Sequence, residues 1–333
     1  MSMKRIVSLL ILLLGVLSTM AQAYPAKKYD LRFFQVSFGN DTFVNTDRSF
    51  THGGKLTMMS NNIQNYQNNP LLRWFSLTNG KGSLHTFSVS IGQNVYTPSN
   101  IKTDVILKED RPYAGYLYVG FGIHSSNKKR QDTFEIDIGI VGHQSFAEQT
   151  QRAIHWLFKH RDPKGWDHQL SNEFAIQTIF ERKIRALRLT TETGVGIELI
   201  PHFGGGFGNV YIYANAGYQI RFGWNLPNDY GVEMHRPGGD TTVGIIRKEN
   251  RPSIHIFAAL DGQAVHKNIF LDGNTFDDSH YVHKYPFTAN IMAGFGVRIH
   301  RFYFTYTYVY WTKKFKSEPE NHRFGVMNIS YSF

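Results

Sequence analysis

The chain has 333 residues and carries 36 lysines and arginines against 26 aspartates and glutamates, which gives a net charge of +10. It contains no cysteine, so disulfide bonds and thiolate metal sites are excluded. Aromatic residues make up 15% of the chain and glycine occurs 30 times, whereas the mean hydropathy is -0.33. This composition favours a membrane β-barrel over a bundle of apolar membrane helices.

The N-terminal segment has the three-part layout of a secretory signal peptide. Lys4 and Arg5 precede an apolar run over 6–17, and small and polar residues follow up to Ala23. The apolar run is shorter than the ~20 residues that a membrane-spanning helix needs. We therefore predict a signal peptide over 1–23 and a single barrel domain over 24–333, the alternative being an uncleaved anchor. The remaining surplus of basic residues suits contact with an anionic surface.

Apolar and polar residues alternate at every second position in many segments. Between 134 and 140, phenylalanine and isoleucine alternate with acidic residues and glycine, and the same period recurs over 87–92, 210–221 and 302–310. The last segment, 327–333, alternates in the same way and ends in a phenylalanine, which resembles the assembly signal of outer-membrane proteins. In a membrane barrel the apolar face meets lipid and the polar face lines the lumen. The alternative for the last segment is an edge strand of a soluble sandwich.

We predict an all-β fold, a transmembrane antiparallel β-barrel of about twelve strands with a short helix in an extracellular loop. The strands are expected near 31–40, 53–61, 84–95, 114–126, 132–142, 170–182, 186–199, 209–222, 253–264, 287–299, 302–311 and 323–333. With both termini periplasmic, the outward loops are 41–52, 96–113, 143–169, 200–208, 265–286 and 312–322. Short turns are expected on the periplasmic side at 128–130, 183–185 and 300–301, although the connections at 62–83 and 223–252 are long for that side.

One outward loop contains a helix-like run over 147–158. Ser145 is available as its N-cap, with Glu148 as the capping-box partner. In such a helix Gln151 and His155, four residues apart, share one face, and Glu148 lies one turn earlier on that face. A neutral imidazole can accept a proton from water, which makes His155 a candidate base. The alternative is an ordinary surface histidine at the level of the lipid headgroups.

A second group of candidates lies at the first hairpin. Asn40 and Asp41 end the first predicted strand and Thr51 leads into the second, so FGNDTF and SFTHGG are expected to face each other. Carboxylate, amide and hydroxyl oxygens are ligands that calcium accepts. The alternative is simple turn formation, which asparagine and aspartate also favour.

A third outward loop is basic. Lys102 and Arg111 are candidates for binding the phosphates of a substrate, while the alternative for Arg111 is a structural ion pair with Asp110. The sequence has no G-x-S-x-G nucleophile elbow, no H-E-x-x-H zinc helix, no P-loop and no nucleic-acid-binding module. We therefore expect no nucleic-acid partner.

Five motifs resemble, in order and spacing, those of outer-membrane lipid A 3′-O-deacylases of the LpxR family. They are FGNDTF, FTHGG, EDRPYAGYLYVG, the stretch from IGIVGH to TQRAIH, and KGWDHQL. The resemblance implies a calcium-dependent twelve-stranded barrel in the bacterial outer membrane. Its active site would lie between the barrel wall and a helix of an outward loop.

The resemblance also implies a role for each matched residue. His155 would be the base that activates water, and Gln151 would support the site from the preceding turn. Asn40, Asp41 and Thr51 would form the polar cluster around calcium and substrate, with Asn40 and Asp41 as metal ligands. The sequence departs from the family pattern at position 143, where a histidine follows the Val-Gly pair.

The favoured hypothesis is therefore hydrolysis of the 3′-linked acyl chains of lipid A, the membrane part of lipopolysaccharide, in the outer leaflet. Two alternatives remain. The first is a non-catalytic outer-membrane pore or adhesin, which needs neither calcium nor His155. The second is an outer-membrane phospholipase, which uses the same chemistry on another lipid.

Overall fold

The fold is known from a computed structural model that describes residues 31–41, 49–60, 63, 83–158, 162–238 and 251–333. The signal peptide predicted over 1–23 lies outside these residues. The strands are β1 (Leu31–Asn40), β2 (Ser49–Ser60), β3 (Leu84–Thr97), β4 (Ala114–Ser126), β5 (Arg130–Val141), β6 (Glu173–Ile184), β7 (Leu187–Thr190), β8 (Val195–Gly208), β9 (Tyr211–Trp224), β10 (Ser253–Asn268), β11 (Phe287–Ile299), β12 (Phe302–Trp311) and β13 (His322–Ser332). The helices are α1 (Ala147–Phe158) and α2 (Ile269–Asp272), and single 3₁₀ turns cover His143–Ser145 and Trp166–His168.

The strands close into an antiparallel barrel. Neighbours in sequence pair with each other, and β1 also pairs with β13. β6 and β7 both pair with β8, along successive parts of its length, so they are two pieces of one crossing. Within the described part of the chain, the thirteen strand segments therefore make twelve crossings, which confirms the predicted barrel. No helix of the described residues is long and apolar enough to cross a membrane.

The predicted strand over 186–199 and the predicted outward loop over 200–208 are wrong. The chain turns at 191–194, where Gly194 has a φ of 90°, and β8 then runs through 200–208. The turn expected at 183–185 is instead the junction between β6 and β7. Three glycines at 204–206 lie within this strand, and at Gly204 a Cβ would lie only 2.1 Å from the carbonyl oxygen of Phe180. Glycine here permits close approach of two strands.

Polar side chains line the lumen and apolar side chains cover the outer surface. On β2, Lys55 and Thr57 are buried, whereas Leu56 and Met58 are each 44% exposed. The Nζ of Lys55 donates to Glu135 Oε1 over 2.8 Å inside the barrel. Other exposed apolar residues around the wall are Val89, Ile91, Val119, Phe121, Ile138, Ile176, Tyr218, Ile220, Phe222, Ile256, Ile291 and Phe295. This arrangement matches a wall that faces lipid.

The connection between β9 and β10 folds back into the lumen. Its described part, 225–238, is almost entirely buried. Arg221, near the periplasmic end of β9, pairs with Asp229 at the start of this segment. At its other end, the hydroxyl of Tyr96 donates to the carbonyl oxygen of Pro237 over 2.8 Å, near the outward end of β3. The segment thus fills the lumen along most of its length.

Aromatic side chains close the outward mouth of the lumen. The rings of Tyr96 and Phe270, which lies in α2, stack with centroids 4.3 Å apart. Phe50, Trp311 and Phe324 pack beside them, with the centroids of Phe50 and Phe324 4.8 Å apart. The described residues therefore fill the barrel from both ends.

Candidate active site on the outer face of the wall

Helix α1 lies against β3 and β4. Its start rests on Gly115, where a Cβ would lie 2.1 Å from Ser145 Oγ and 2.3 Å from the Cβ of Ala147. Any larger residue would push the helix off the wall. The backbone of Gly142 also donates to the carbonyl oxygen of Gly115 over 3.0 Å, which holds the approach to the helix in place.

The predicted capping box is wrong. The hydroxyl of Ser145 donates to the carbonyl oxygen of Gly142 over 2.6 Å, inside the 3₁₀ turn that precedes the helix. Phe146 then adopts a left-handed conformation with a φ of 57°, so the helix begins at a sharp change of direction. Glu148 instead accepts from Arg152 Nε over 2.9 Å. The side chain of Gln93 on β3 donates to the carbonyl oxygen of Ser145 over 2.6 Å and joins this turn to the wall.

One face of α1 is buried against the wall. It carries Ala147, Gln151 and His155, which are 1%, 0% and 2% exposed. Ala147, rather than Glu148, therefore occupies the turn before Gln151 on this face. The burial of His155 contradicts the alternative of an ordinary surface histidine. On the opposite side Trp156 is 79% exposed, at the level of the outward rim.

Trp166, in the motif KGWDHQL, fixes the orientation of Gln151. Its Nε1 donates to Gln151 Oε1 over 2.7 Å. Because an indole N–H can only donate, the amide oxygen of Gln151 must face it and the amide nitrogen faces the other way. That nitrogen is buried and makes no hydrogen bond within the described residues. Trp166 itself packs on Tyr113, with ring centroids 5.0 Å apart, and on Val95 of the wall.

The first hairpin adjoins β3, one of the two strands on which this helix lies. Asn40 on β1 pairs in register with His52 on β2, and Gly39 pairs with Gly53. At both glycines a Cβ would contact Phe50, whose ring lies in the lumen. Since successive side chains of a strand point to opposite faces, Asn40 and His52 point to the outer face. His52 interacts electrostatically with His155, so the two histidines belong to the same site.

Asp41 and Thr51 lie beside this pair. Asp41 is fully buried directly after β1, and Thr51 is buried at a bulge near the start of β2. The hydroxyls of Thr51 and Thr97 are hydrogen-bonded over 2.7 Å, which ties the hairpin to the end of β3. Five side chains predicted from three distant motifs are thus all buried: Asn40, Asp41, Thr51, Gln151 and His155.

The donor set is compatible with calcium but supplies only part of a coordination shell. Asp41 and Asn40 offer a carboxylate and an amide oxygen, which are ligands for a hard cation. Among the described residues, no group of three or more histidine and acidic side chains gathers to hold a metal. The remaining ligands would be backbone carbonyls, water and substrate oxygens, as calcium commonly takes.

The two basic candidates lie in different surroundings. Lys102 is exposed, and its backbone donates to Asn100 Oδ1 over 3.1 Å. Arg111 is only 3% exposed and covers the ring of Tyr96, which lines the lumen, at 4.8 Å. Burial lowers the pKa of the Arg111 guanidinium, and nearby Glu318 partly offsets this. The carboxylate of Asp110 accepts from the backbone and hydroxyl of Ser99 over 2.7 and 2.6 Å.

Another buried cation lies in the loop that follows β12. Lys314 is 5% exposed, and its Nζ donates to Asn290 Oδ1 over 2.7 Å. Burial lowers the pKa of Lys314 to about 7, although Glu318 acts in the opposite direction. This lysine belongs to the outward mouth of the lumen and not to the pocket beneath α1.

Sequence reasoning assigned no role to Trp166, Gln93 or His52. Trp166 and His52 stand inside motifs that carried the resemblance, so position in a motif was the available signal. Gln93 is one polar residue among many on alternating strands, and only the packing of the loop reveals its contact.

A closed barrel with an apolar outer surface, and a buried polar pocket between its wall and an outward-loop helix, defines an outer-membrane β-barrel protein of the bacterial type. Residues 7–333 match the model of the family described as "Outer membrane protein LpxR", and the chain belongs to this family. This result confirms the resemblance stated from the motifs.

One solved structure agrees with this assignment at the level of the fold. The structure "LpxR from Salmonella typhimurium" has a TM-score of 0.73 at 18% identity, covering 90% of this chain and all of that one. The β domain of the Bordetella autotransporter BrkA reaches a TM-score of 0.45 at 8% identity, covering 91% of this chain and 99% of that one. No curated protein sequence matches the chain.

Proposed function

We propose that this protein is a calcium-dependent ester hydrolase that removes the 3′-linked acyl chains of lipid A. The observation that carries the proposal is the joint burial of His155 and Gln151 on α1 and of Asn40 and Asp41 at the end of β1, toward the outward rim of the wall. An enzyme that acts on a lipid of the outer leaflet needs its site at this level, open to the membrane and not to the lumen. Membership of the LpxR family supports the same function.

The chain's own residues divide the work. His155 accepts a proton from water, and the resulting hydroxide attacks the acyl carbon of the ester. Gln151, held by Trp166, directs its amide N–H groups into the pocket, where they orient the water or an ester oxygen. Thr51 closes the pocket on the hairpin side. When the ester bond breaks, His155 returns the proton to the sugar oxygen that leaves.

Asn40 and Asp41 would hold calcium. When bound, the cation would supply positive charge that stabilises the oxyanion formed during hydrolysis. The carboxylate of Asp41 is the natural anchor because it is buried beside the pocket and carries a full negative charge. Lys102, exposed on an outward loop, is available to a phosphate of the lipid headgroup, whereas Arg111 is engaged with Tyr96.

The filled lumen argues against the alternative of a pore. The segment 225–238 and the aromatic cluster at the mouth occupy the space through which a solute would pass. A pore would also give no reason for a histidine, a glutamine and an aspartate to be buried together outside the lumen. A phospholipase would share the site, so the product must separate these two hydrolases.

The test is hydrolysis by the purified protein in detergent micelles. Lipid A and a glycerophospholipid are supplied separately with calcium, and the products are measured by mass spectrometry. We expect lipid A to lose the mass of its 3′-linked acyl substituent and the phospholipid to remain intact. Acyl release from the phospholipid alone would identify a phospholipase, and an intact lipid A with His155 in place would refute the proposal.

A further inference from the structure

His52 is a buried histidine of the pocket without an assigned role. It is 2% exposed, and neither ring nitrogen makes a hydrogen bond of ordinary geometry within the described residues. The side chain of Gln93 lies beside the ring but outside ordinary hydrogen-bond geometry, and its Nε2 donates to the carbonyl oxygen of Ser145. Buried polar groups almost always find a hydrogen-bond partner, so these nitrogens indicate a ligand.

The position of His52 specifies where that ligand would lie. The ring points to the outer face of the wall, in register with Asn40 and close to His155. It therefore faces the same space as the proposed base and the proposed calcium ligands. It stands on a strand of the barrel, which is more rigid than the loop that carries His155.

Open space lies beside this histidine on the lipid side of the wall, at Gly54. Gly54 is the next residue of β2 that faces the lipid side of the wall. No atom lies within 4 Å of where its Cβ would be. One position further along the same face, Leu56 is 44% exposed to lipid. An acyl chain lying along Leu56 and Gly54 would bring its ester group to His52 without leaving the membrane surface.

We propose that His52 is a further catalytic residue, which donates a ring N–H to the carbonyl oxygen of the scissile ester. This inference rests on the function proposed above. When hydroxide bonds to the acyl carbon, the electron pair of the carbonyl moves to its oxygen, and the hydrogen bond from His52 strengthens as that charge develops. The pair then returns, the bond between carbon and sugar oxygen breaks, and the proton on His155 passes to the sugar. His52 keeps its proton throughout.

A pair of variants of equal length tests the donor. His52→Gln retains an N–H near the position of the ring nitrogen, whereas His52→Met has a similar length and no donor. Loss of one such donor costs about 10²–10³ in kcat in other hydrolases. We expect His52→Met to lose kcat by about 100-fold with KM within about twofold, and His52→Gln to recover at least about tenfold of that loss. His85→Met is the matched control, because His85 is equally buried at the periplasmic end of β3.

A second pair tests the path of the acyl chain. Gly54→Val fills the open space beside His52 and is expected to raise KM for lipid A by about tenfold, as lost burial of two methylene groups would. Gly262→Val is its control, since Gly262 faces outward on β10 with only the Ala216 carbonyl oxygen nearby, at 3.5 Å. We expect that control to leave KM unchanged.

The outcomes separate the inference from the function on which it rests. If the wild type hydrolyses lipid A and His52→Met is equally fast, His52 is not a donor and the function stands. The same conclusion follows if His52→Gln folds, as judged by faster migration of the unboiled protein on a denaturing gel, yet is as slow as His52→Met. If the wild type releases no acyl chain, the function and the inference both fail. If His52→Met does not fold, the kcat of His52→Gln is compared with that of the wild type. A loss of at most about tenfold supports His52 as a donor, and a loss of about 100-fold refutes it.

Discussion

Trp166 donates a hydrogen bond from its indole nitrogen to the amide oxygen of Gln151 over 2.7 Å, and both side chains are buried. The two residues come from different parts of the same outward loop, so the contact ties the 3₁₀ turn at Trp166–His168 to the helix α1. Through it, the loop sets the direction of an amide that faces the proposed reaction centre.

The first prediction concerns this contact. Trp166→Phe keeps the aromatic packing on Tyr113 but removes the donor, so Gln151 is free to rotate. A hydrogen bond of about 1 kcal/mol corresponds to a rate loss of about fivefold to tenfold, which we expect in kcat. Trp224→Phe is the control. It also removes an indole hydrogen bond, from Trp224 Nε1 to the carbonyl oxygen of Thr193 over 2.8 Å, but at the periplasmic end of the barrel. Equal rates for both variants would contradict the role of Trp166.

The second prediction concerns the proposed base. His155→Ala is expected to lower the rate of acyl release by ~10²–10⁴-fold, the range credited to general acid–base catalysis. Gln151→Ala is expected to do less damage because it orients and does not transfer protons. His143→Ala is expected to do least, since His143 is exposed and its ring lies 3.3 Å from the side-chain nitrogen of Gln169. Initial rates on purified lipid A give the order, and acyl release by His155→Ala at the wild-type rate would exclude His155 as the base.

The third prediction concerns the cation. A calcium chelator is expected to abolish hydrolysis, and added calcium to restore it, because the cation would supply the positive charge that stabilises the oxyanion. Asp41→Ala is expected to need far more calcium or to remain inactive. Asp277→Ala, at an exposed outward-loop position, is the control. Full activity in the presence of chelator would remove calcium from the mechanism.

The fourth prediction concerns Lys314 and stability. Its pKa is lowered to about 7 by burial, whereas an unfolded lysine titrates near 10.4. Between these values the unfolded chain binds more protons than the folded one, so the free energy of unfolding rises with pH over this window. Lys314→Met removes this dependence, and we expect the wild type to gain on the order of 2 kcal/mol relative to the variant between pH 7 and pH 9.

The measurement is the urea midpoint for loss of the compact form on a denaturing gel, at several pH values. Lys316→Met, at an exposed position of the same loop, is the control and should follow the wild type. A constant difference between the wild type and Lys314→Met over this range would show that Lys314 does not titrate there.

The sequence by itself determined the barrel, because the alternation of apolar and polar residues is a local property of each strand. Lys55 and Leu56 had to face opposite sides of the wall, and only a closed sheet with lipid outside satisfies many such strands together. The motifs also determined most residues of the candidate site. Local patterns did not predict the strand through 200–208, where glycines such as Gly204 permit close contact between strands. They also did not predict the tight turn at 191–194.

Only the tertiary structure decided which side of the wall the site occupies. The outward direction of Asn40 and His52 depends on a register between β1 and β2 and on the bulge at Thr51, and neither is encoded in a single segment. The burial of His155 depends on Gly115, which admits the start of α1 to the wall from 40 positions earlier in the chain. Contacts between such distant residues arise from packing, so the roles of Trp166, Gln93 and His52 emerge only once the loop has folded onto the barrel.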